Sequence, residues 1–251
     1  MSSVDRVLAI LELFDEEHPV WCVEDAAPVI GLSISSTYRY FSSLLQAGML
    51  DSAPGSRYRL GPAIIAYDRK IRLYDPILQA AQPAMKDLLV HISDQQVVIL
   101  CRLFRDQVMC IHQEANSTEV PEISYERGRL MSLYKGATSK VILAYLPNRA
   151  RKRLYNQHQT EFAKMESFSS WDKFNGVLKS IRRQGYCVAK GEVDSGHVGI
   201  ATPIFSNDLN IVGSLSIVGT SHSMGDIAIA KLTVLVKAAA AEISERLAQL
   251  K

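Results

Sequence analysis

The chain is short of most signatures that would mark an enzyme, a membrane protein or a secreted scaffold. Its 251 residues include only four cysteines. Cys22, Cys101, Cys110 and Cys187 lie far apart without CxxC spacing, so neither a disulfide framework nor a zinc site is expected. The same scatter argues against a redox or metal sensor built on Cys101, Cys110 and Cys187. No apolar run approaches the roughly 20 residues that cross a bilayer. Ser2-Ser3-Val4-Asp5-Arg6 leads straight into an amphipathic pattern, not a leader peptide. A cytoplasmic location with no membrane partner is therefore expected. Walker loops, dinucleotide fingerprints and HExxH are missing, as are long internal repeats and low-complexity tracts. Neither cofactor, metal nor catalytic residue is expected.

A strong charge of one sign is also lacking. Lys and Arg number 28 against 26 Asp and Glu, a net +2 that does not announce nucleic-acid binding. Residues 1–75 are even acidic, with seven basic against ten acidic side chains. The charge is segregated, however. Residues 31–72 carry Arg39, Arg57, Arg59, Arg69, Lys70 and Arg72 against only Asp51 and Asp68. Such clustering matters more than the sum. With 47% hydrophobic and 22% charged residues, the composition is that of an ordinary globular protein. The length allows one small domain and one of ordinary size.

What is present begins at residues 31–60. Ser33 is a natural helix N-cap. Tyr40, Phe41, Leu44 and Leu45 recur at the three- and four-residue spacing of one buried helical face. Ser35, Ser36, Tyr38, Arg39 and Ser42 fall largely on the other face. Gly48 ends the helix. Met49-Leu50 starts a strand, Ala53-Pro54-Gly55-Ser56 turns it, and Arg57-Tyr58-Arg59-Leu60 returns it. With a short helix expected over 24–30, the order is helix, turn, helix and two-stranded wing. Hydroxyls bond phosphates or base edges, and an arginine reads guanine bidentately. The expected DNA contacts are Ser33, Ser35, Ser36, Thr37, Tyr38, Arg39 and Ser42, joined on the wing by Arg57, Tyr58 and Arg59. A helical domain with a merely polar surface is the alternative, and the wing behind the helix favours double-stranded DNA.

Leu-Ser-Ile-Ser-Ser-Thr-Tyr-Arg-Tyr-Phe, then Ala-Gly-Met-Leu, then Arg-Tyr-Arg-Leu-Gly, resembles the winged helix-turn-helix of IclR-type bacterial transcription regulators. One departure is Pro28, inside the short helix, where the family usually carries a helix former. A proline is expected to be tolerated only near a helix's first turn. Three later motifs extend the resemblance over nearly the whole chain. Gly136-Ala137-Thr138-Ser139-Lys140 with Leu143-Ala144-Tyr145-Leu146-Pro147 is similar to the family's Ala-Thr-Gly-Lys and Leu-Ala-x-Leu-Pro, with Ser139 in place of Gly. Gly191-Glu192, then Gly196, then Ile200-Ala201-Thr202-Pro203-Ile204 matches its Gly-Glu, Gly and Ile-Ala-x-Pro-Ile. Leu215-Ser216-Ile217-Val218-Gly219 resembles its closing strand.

Periodicity divides the rest. A long helical pattern opens at Gly61-Pro62 and has a seam at Asp75-Pro76. Strands are expected over 97–101, 108–111, 123–125, 131–134, 186–188, 199–204 and 211–218. Helices are expected over 84–92, 140–146, 149–155, 171–184 and 226–250. Antiparallel hairpins flanked by helices make an α+β domain, and the resemblance implies a GAF/PAS-like antiparallel sheet of about six strands. The expected domains are a winged helix-turn-helix over 1–61, a linker helix over 62–79 and an effector-binding and oligomerisation domain over 80–251.

The resemblance also implies an effector pocket lined by Ile123, Met131, Ala137, Thr138, His197, Gly199, Ser216 and Val218. A helix N-terminus expected near Lys140 would attract a carboxylate. His197 stands where the family commonly has an aliphatic residue, and would donate a hydrogen bond to the ligand. The function implied is an operator-binding regulator, more often a repressor, controlled by a small organic acid or aromatic catabolite and working as a homodimer or homotetramer. The rival is an enzyme using the C-terminal α+β domain. His112 with Glu114, or Cys187 with Asp194 and His197, would have to carry it, and no nucleophile motif joins either set.

Overall fold

The structure, a computed structural model, describes residues 2–117, 122–206 and 210–250. The chain divides into two compact units, Met1–Asp75 and Pro76–Lys251.

In the first unit, α1 (Ser3–Leu11) opens on a capping box. Ser2 Oγ accepts from Asp5 N at 3.2 Å while the Asp5 carboxylate accepts from Ser2 N at 2.7 Å. Next come α2 (Val23–Val29) and α3 (Ile34–Gln46), the helix-turn-helix, followed by β1 (Leu50–Ala53) and β2 (Arg57–Leu60). These strands pair antiparallel with Leu50 opposite Leu60, giving the wing. α4 (Pro62–Tyr74) starts with a proline at its first position, where the missing N–H costs no hydrogen bond. Ile10, Val23, Ala26, Phe41, Leu44 and Leu50 form the core. Phe41 meets the Tyr58 ring edge-on at 5.0 Å, and Trp21 exchanges both backbone hydrogen bonds with Tyr58 at 2.9 and 2.7 Å. Leu50 and Tyr58 thus fasten the two strands of the wing to the rest of the unit.

Three sequence expectations for this unit need correction. Pro28 lies at the sixth position of the seven-residue α2, far from its first turn. The helix tolerates it because Glu24, whose carbonyl would have accepted the missing N–H, is exposed and can be solvated. Leu45 is exposed, and Thr37 takes its place on the buried face with Phe41 and Leu44. The spacing of Val4, Val7, Leu8, Leu11 and Phe14 predicts one buried helical stripe, but Val4 and Leu8 of α1 are exposed and only part of the stripe joins the core.

The second unit runs α5 (Pro76–Leu89), β3 (Gln96–Phe104), β4 (Gln107–Glu114), β5 (Leu130–Ser132), α6 (Gly136–Tyr145), α7 (Asn148–Gln157), α8 (Gln159–Phe162), α9 (Trp171–Gln184), β6 (Cys187–Lys190), β7 (His197–Phe205), β8 (Ile211–Thr220) and α10 (Asp226–Gln249). Its six strands form one antiparallel sheet in the order β5-β4-β3-β8-β7-β6. Side chains alternate across it. Val97, Ile99 and Cys101 enter one core with α6 and α9, whereas Val98 and Leu100 enter another with α5 and α10. A sheet with both faces covered explains why β3 and β8 read as nearly continuous apolar runs. Among the described residues no helix is long and apolar enough to cross a membrane.

The helix expected over 62–79 ends at Tyr74 and the one expected over 84–92 already starts at Pro76; two further differences bear on the site. Residues 123–125 form no strand; Gln113 Nε2 donates to Tyr125 O, so a side chain holds this segment instead of a ladder. The helix expected from Lys140 begins four residues earlier. Gly136 takes φ 78°, a left-handed conformation that lets the chain turn into α6 after the three residues that follow β5.

Phe41→Ala should destabilise the first unit by about 3–5 kcal/mol, the usual effect of emptying a buried phenylalanine site. Urea denaturation followed by Trp21 fluorescence, in a Trp171→Phe background, measures this. A loss under 1 kcal/mol would mean that Phe41 does not organise this core.

Candidate DNA interface and effector pocket

α3 presents two unlike faces. On the outer one Ser35, Tyr38, Arg39 and Ser42 are exposed, and the Arg39 side chain has no hydrogen bond or ion pair among the described residues. Ser33 caps the helix: its Oγ accepts from Ser36 N at 3.3 Å and donates to Ser36 Oγ at 3.0 Å. Thr37 is removed from the expected contacts. It is fully buried, and its hydroxyl donates to Ser33 O at 3.1 Å.

On the wing, Arg57 is exposed and without an ion pair among the described residues. Arg59 is already engaged by Asp51 at 2.9 Å, and this partner holds the Asp51 carboxyl below its usual range. A phosphate would have to compete for Arg59. Tyr58 is corrected too, because its ring packs on Phe41 and belongs to the core.

The second unit holds a cavity of about 30 Å³ beside the start of α6. Of the expected lining, Ala137, Thr138, His197, Gly199 and Val218 are there. Ile123 and Met131 pack into the core instead. Ser216 is buried behind the cavity, where its Oγ shares a 2.9 Å hydrogen bond with Thr138 Oγ1. Tyr125, Gly136, Ala189 and the Gly191–Asp194 turn, absent from the sequence expectation, complete the wall.

Two carboxylates clasp that turn onto the domain. Glu192 accepts from Gly136 N at 3.1 Å through Oε2 and from Lys140 Nζ at 2.5 Å through Oε1. Gly136 and Lys140 lie one helical turn apart, so one carboxylate spans both. Asp194 accepts from Ser124 N at 2.9 Å and also from Ser124 Oγ. The helix end expected to face a ligand is therefore at Gly136, and its first amide is occupied. The amides of Ala137 and Thr138 have no acceptor among the described residues. Tyr125 Oη meets Ser139 Oγ at 3.0 Å, and burial drives its phenol well above the usual range. His197 opens β7, with Nδ1 3.2 Å from Ser195 O. A Cβ on Gly136 would sit 2.8 Å from Val193 Cγ2 and 3.0 Å from Tyr125 Oη, so α6, the turn and Tyr125 converge at this glycine.

A winged helix-turn-helix followed by an α+β unit with a small-molecule cavity defines a class, the ligand-responsive DNA-binding regulators. The comparisons narrow it. The IclR helix-turn-helix domain model matches residues 3–54, and the bacterial transcriptional regulator IclR C-terminal model matches residues 74–245. The chain belongs to the IclR family of transcriptional regulators. It is 24% identical to the HTH-type transcriptional regulator KipR of Bacillus subtilis over 246 residues, covering 98% of this chain and 96% of that one. It is likewise 24% identical to XynR of Escherichia coli, covering 98% and 97%. The IclR regulator structure from Alicyclobacillus acidocaldarius shares the fold, with a TM-score of 0.82 at 20% identity and 98% of each chain covered. An IclR homologue from Microbacterium hydrocarbonoxydans, solved in complex with 4-hydroxybenzoate, has a TM-score of 0.77 at 19% identity, with 99% of this chain and 100% of that one covered.

Glu192→Ala would strand the Lys140 ammonium, whose side chain is only 11% exposed. The expected loss of stability is about 2–3 kcal/mol, below the roughly 3–5 of a fully buried pair, because Glu192 is itself 34% exposed. Chemical denaturation followed by Trp171 fluorescence reads it, and an unchanged midpoint would show that the clasp contributes nothing.

Proposed function

We propose that this chain is a cytoplasmic repressor that binds operator DNA as a homodimer or homotetramer and is controlled by a small organic acid, without catalytic turnover. The observation that carries the reading is the outer face of α3, where an unpaired arginine stands among exposed hydroxyls and a tyrosine on a helix braced by a wing. Ser35, Tyr38, Arg39 and Ser42 read the major groove, Ser33 and Ser36 approach the backbone, and Arg57 and Arg59 add phosphate contacts. Repression needs nothing more than occupancy of the operator, which favours it over activation. One recognition helix reads only a few base pairs, so useful affinity calls for two half-sites held by protein symmetry. No residue of α4 is buried within its unit, and its exposed Ile65, Ile71 and Tyr74, with Val4 and Leu8 of α1, offer apolar surface for pairing.

The cavity supports an anionic effector. The Ala137 and Thr138 amides at the start of α6, together with His197, offer donors to a carboxylate. Val218, Ala189 and Val193 offer apolar wall to a hydrocarbon or ring. The 4-hydroxybenzoate complex of the Microbacterium homologue makes aromatic acids the first class to test.

With an operator selected from random DNA by the wild-type protein, Arg39→Ala should weaken binding by about 1–3 kcal/mol and relax sequence preference. Arg57→Ala should weaken all sequences alike and flatten the salt dependence. Fluorescence anisotropy at several salt concentrations separates the two effects, and sedimentation of the same samples should give at least two protomers per operator. Full operator affinity in a folded Arg39→Ala/Arg57→Ala protein, or a bound monomer, would defeat the assignment.

For the effector, calorimetry against benzoate, 4-hydroxybenzoate and short aliphatic acids should find a ligand whose affinity drops roughly ten-fold in His197→Leu, the worth of one hydrogen bond of about 1.4 kcal/mol. Operator affinity without ligand should stay unchanged. Equal ligand affinity in both proteins would place His197 outside recognition.

A further inference from the structure

The sheet brings together two thiols that sequence spacing keeps apart. Cys101 on β3 is the register partner of Cys110 on β4. Both are fully buried in the same apolar cluster as Val97, Ile99 and Tyr125, so both project from the face of the sheet that packs against α6. With both on one face of the sheet, the two thiols are neighbours across the hairpin. The Cys110 thiol in turn reaches His112 O at 3.6 Å. Directly opposed residues of an antiparallel pair have Cα atoms about 4.5–5.5 Å apart, inside the roughly 4.4–6.8 Å that a disulfide spans. The register shifts beside Cys101, a bulge that gives the backbone room to adjust.

The two thiols are electrically unlike. The hydrogen bond from Cys101 and the nearby charge of Arg127 hold the Cys110 thiol below its ordinary range, whereas burial drives Cys101 well above it. Cys110 is thus the readier thiolate, and Cys101 sits in place to resolve whatever forms on it. Hydrogen peroxide is scarcely larger than water, and a molecule of that size fits the cavity walled by Tyr125, which shares the buried cluster of the two cysteines; neither thiol lines the cavity itself. The Tyr125 phenol, raised chiefly by burial, is raised further by Cys101 close by.

We propose that Cys101 and Cys110 form a reversible intramolecular disulfide on exposure to hydrogen peroxide, a redox-modification site in the floor of the effector domain. The Cys110 thiolate attacks one peroxide oxygen and the O–O bond breaks; the departing hydroxide takes up a proton and leaves as water. Cys110 is then a sulfenic acid. The Cys101 sulfur attacks it, the S–O bond breaks, and the hydroxyl leaves as a second water with the proton from Cys101. Two thiols are oxidised by two electrons in all, and one peroxide is reduced to two waters. In a reducing compartment such a bond is transient, as a regulatory disulfide should be. It also has a structural lever. Cys110 O accepts from Gly128 N at 2.9 Å, and Cys110 bridges to Arg127, so this backbone anchors the segment carrying Ser124 and Tyr125 to the sheet. The site stands independently of the effector and operator readings.

The test treats full-length reduced protein with hydrogen peroxide, alkylates remaining thiols under denaturing conditions and maps peptides without reductant. Titratable thiols should fall from four to two, with the Cys101 and Cys110 peptides joined at a mass lower by two hydrogens and separated again by dithiothreitol. Cys187 should stay alkylatable, since burial pushes its thiol up to about 11. In Cys101→Ser, dimedone should trap a sulfenic acid on Cys110. Four free thiols after peroxide, overoxidation of Cys110 without a crosslink, or a bridge through Cys22 or between chains would overturn the proposal. The wild-type peptide map decides even where the serine variant fails to fold.

Discussion

The Glu192 carboxylate meets a backbone amide at the start of α6 and an ammonium one turn further along the same helix. Much of the effector domain's geometry depends on that double contact. It neutralises a largely buried lysine, caps a helix whose N-cap residue supplies no side-chain bond, and ties the Gly191–Gly196 turn over the cavity. Asp194 repeats the device on the other side of the turn through Ser124. Positive φ at Gly191 and Gly196 lets so short a segment leave β6 and enter β7. Both acids of the turn thus fix one wall of the cavity to the helix and to the Ser124 segment.

The DNA-binding unit rests on a different constraint, a helix that must be apolar on one side and bare on the other. The period of 3.6 residues makes this visible in sequence. Phe41 and Leu44 define the buried side, and counting back four residues from Phe41 reaches Thr37, whose burial the serine-rich context disguised. Tyr58 misled for the opposite reason. Lying between two arginines on an edge strand it looked like a DNA contact, but the alternation that sends Arg57 and Arg59 outward sends Tyr58 onto Phe41.

In the second unit long periodic elements were legible. The stretch 171–184 reads as a helix capped by Gly185, and the structure has both. The antiparallel sheet of about six strands followed from the family resemblance, and the structure has it. Where α6 begins was not, because Gly136, Ala137, Thr138 and Ser139 are as suited to a turn as to a helix start, and only packing against Tyr125 and Val193 decides. Five of eight expected pocket residues line the cavity, the ones that follow from the motifs around α6, β7 and β8. Glu192 and Asp194 were visible as acids in a glycine-bounded turn, a usable signal, but their partners at Lys140 and Ser124 are set by tertiary structure. The cysteine pair was hidden more deeply. Sequence spacing said scatter, and only the hairpin register, displaced by a bulge, sets Cys101 against Cys110.

The small volume of the cavity sets terms for any ligand. About 30 Å³ holds one or two water molecules but no ring. Under the proposed reading, an aromatic acid would bind a form in which the Gly191–Gly196 turn or Tyr125 has moved, and its observed affinity would be the intrinsic one reduced by the fraction of molecules already open. Each 1.4 kcal/mol by which the clasps favour closure weakens binding about ten-fold. The same contacts that stabilise the ligand-free domain thus oppose its ligand, and a ligand gains most by replacing what it breaks. The unpaired amides of Ala137 and Thr138, next to the one that Glu192 already holds, are where a carboxylate recovers hydrogen bonds without first displacing the lysine pair. On that reading the clasps would set how readily the turn opens, and the free amides how strongly a carboxylate rewards the opening.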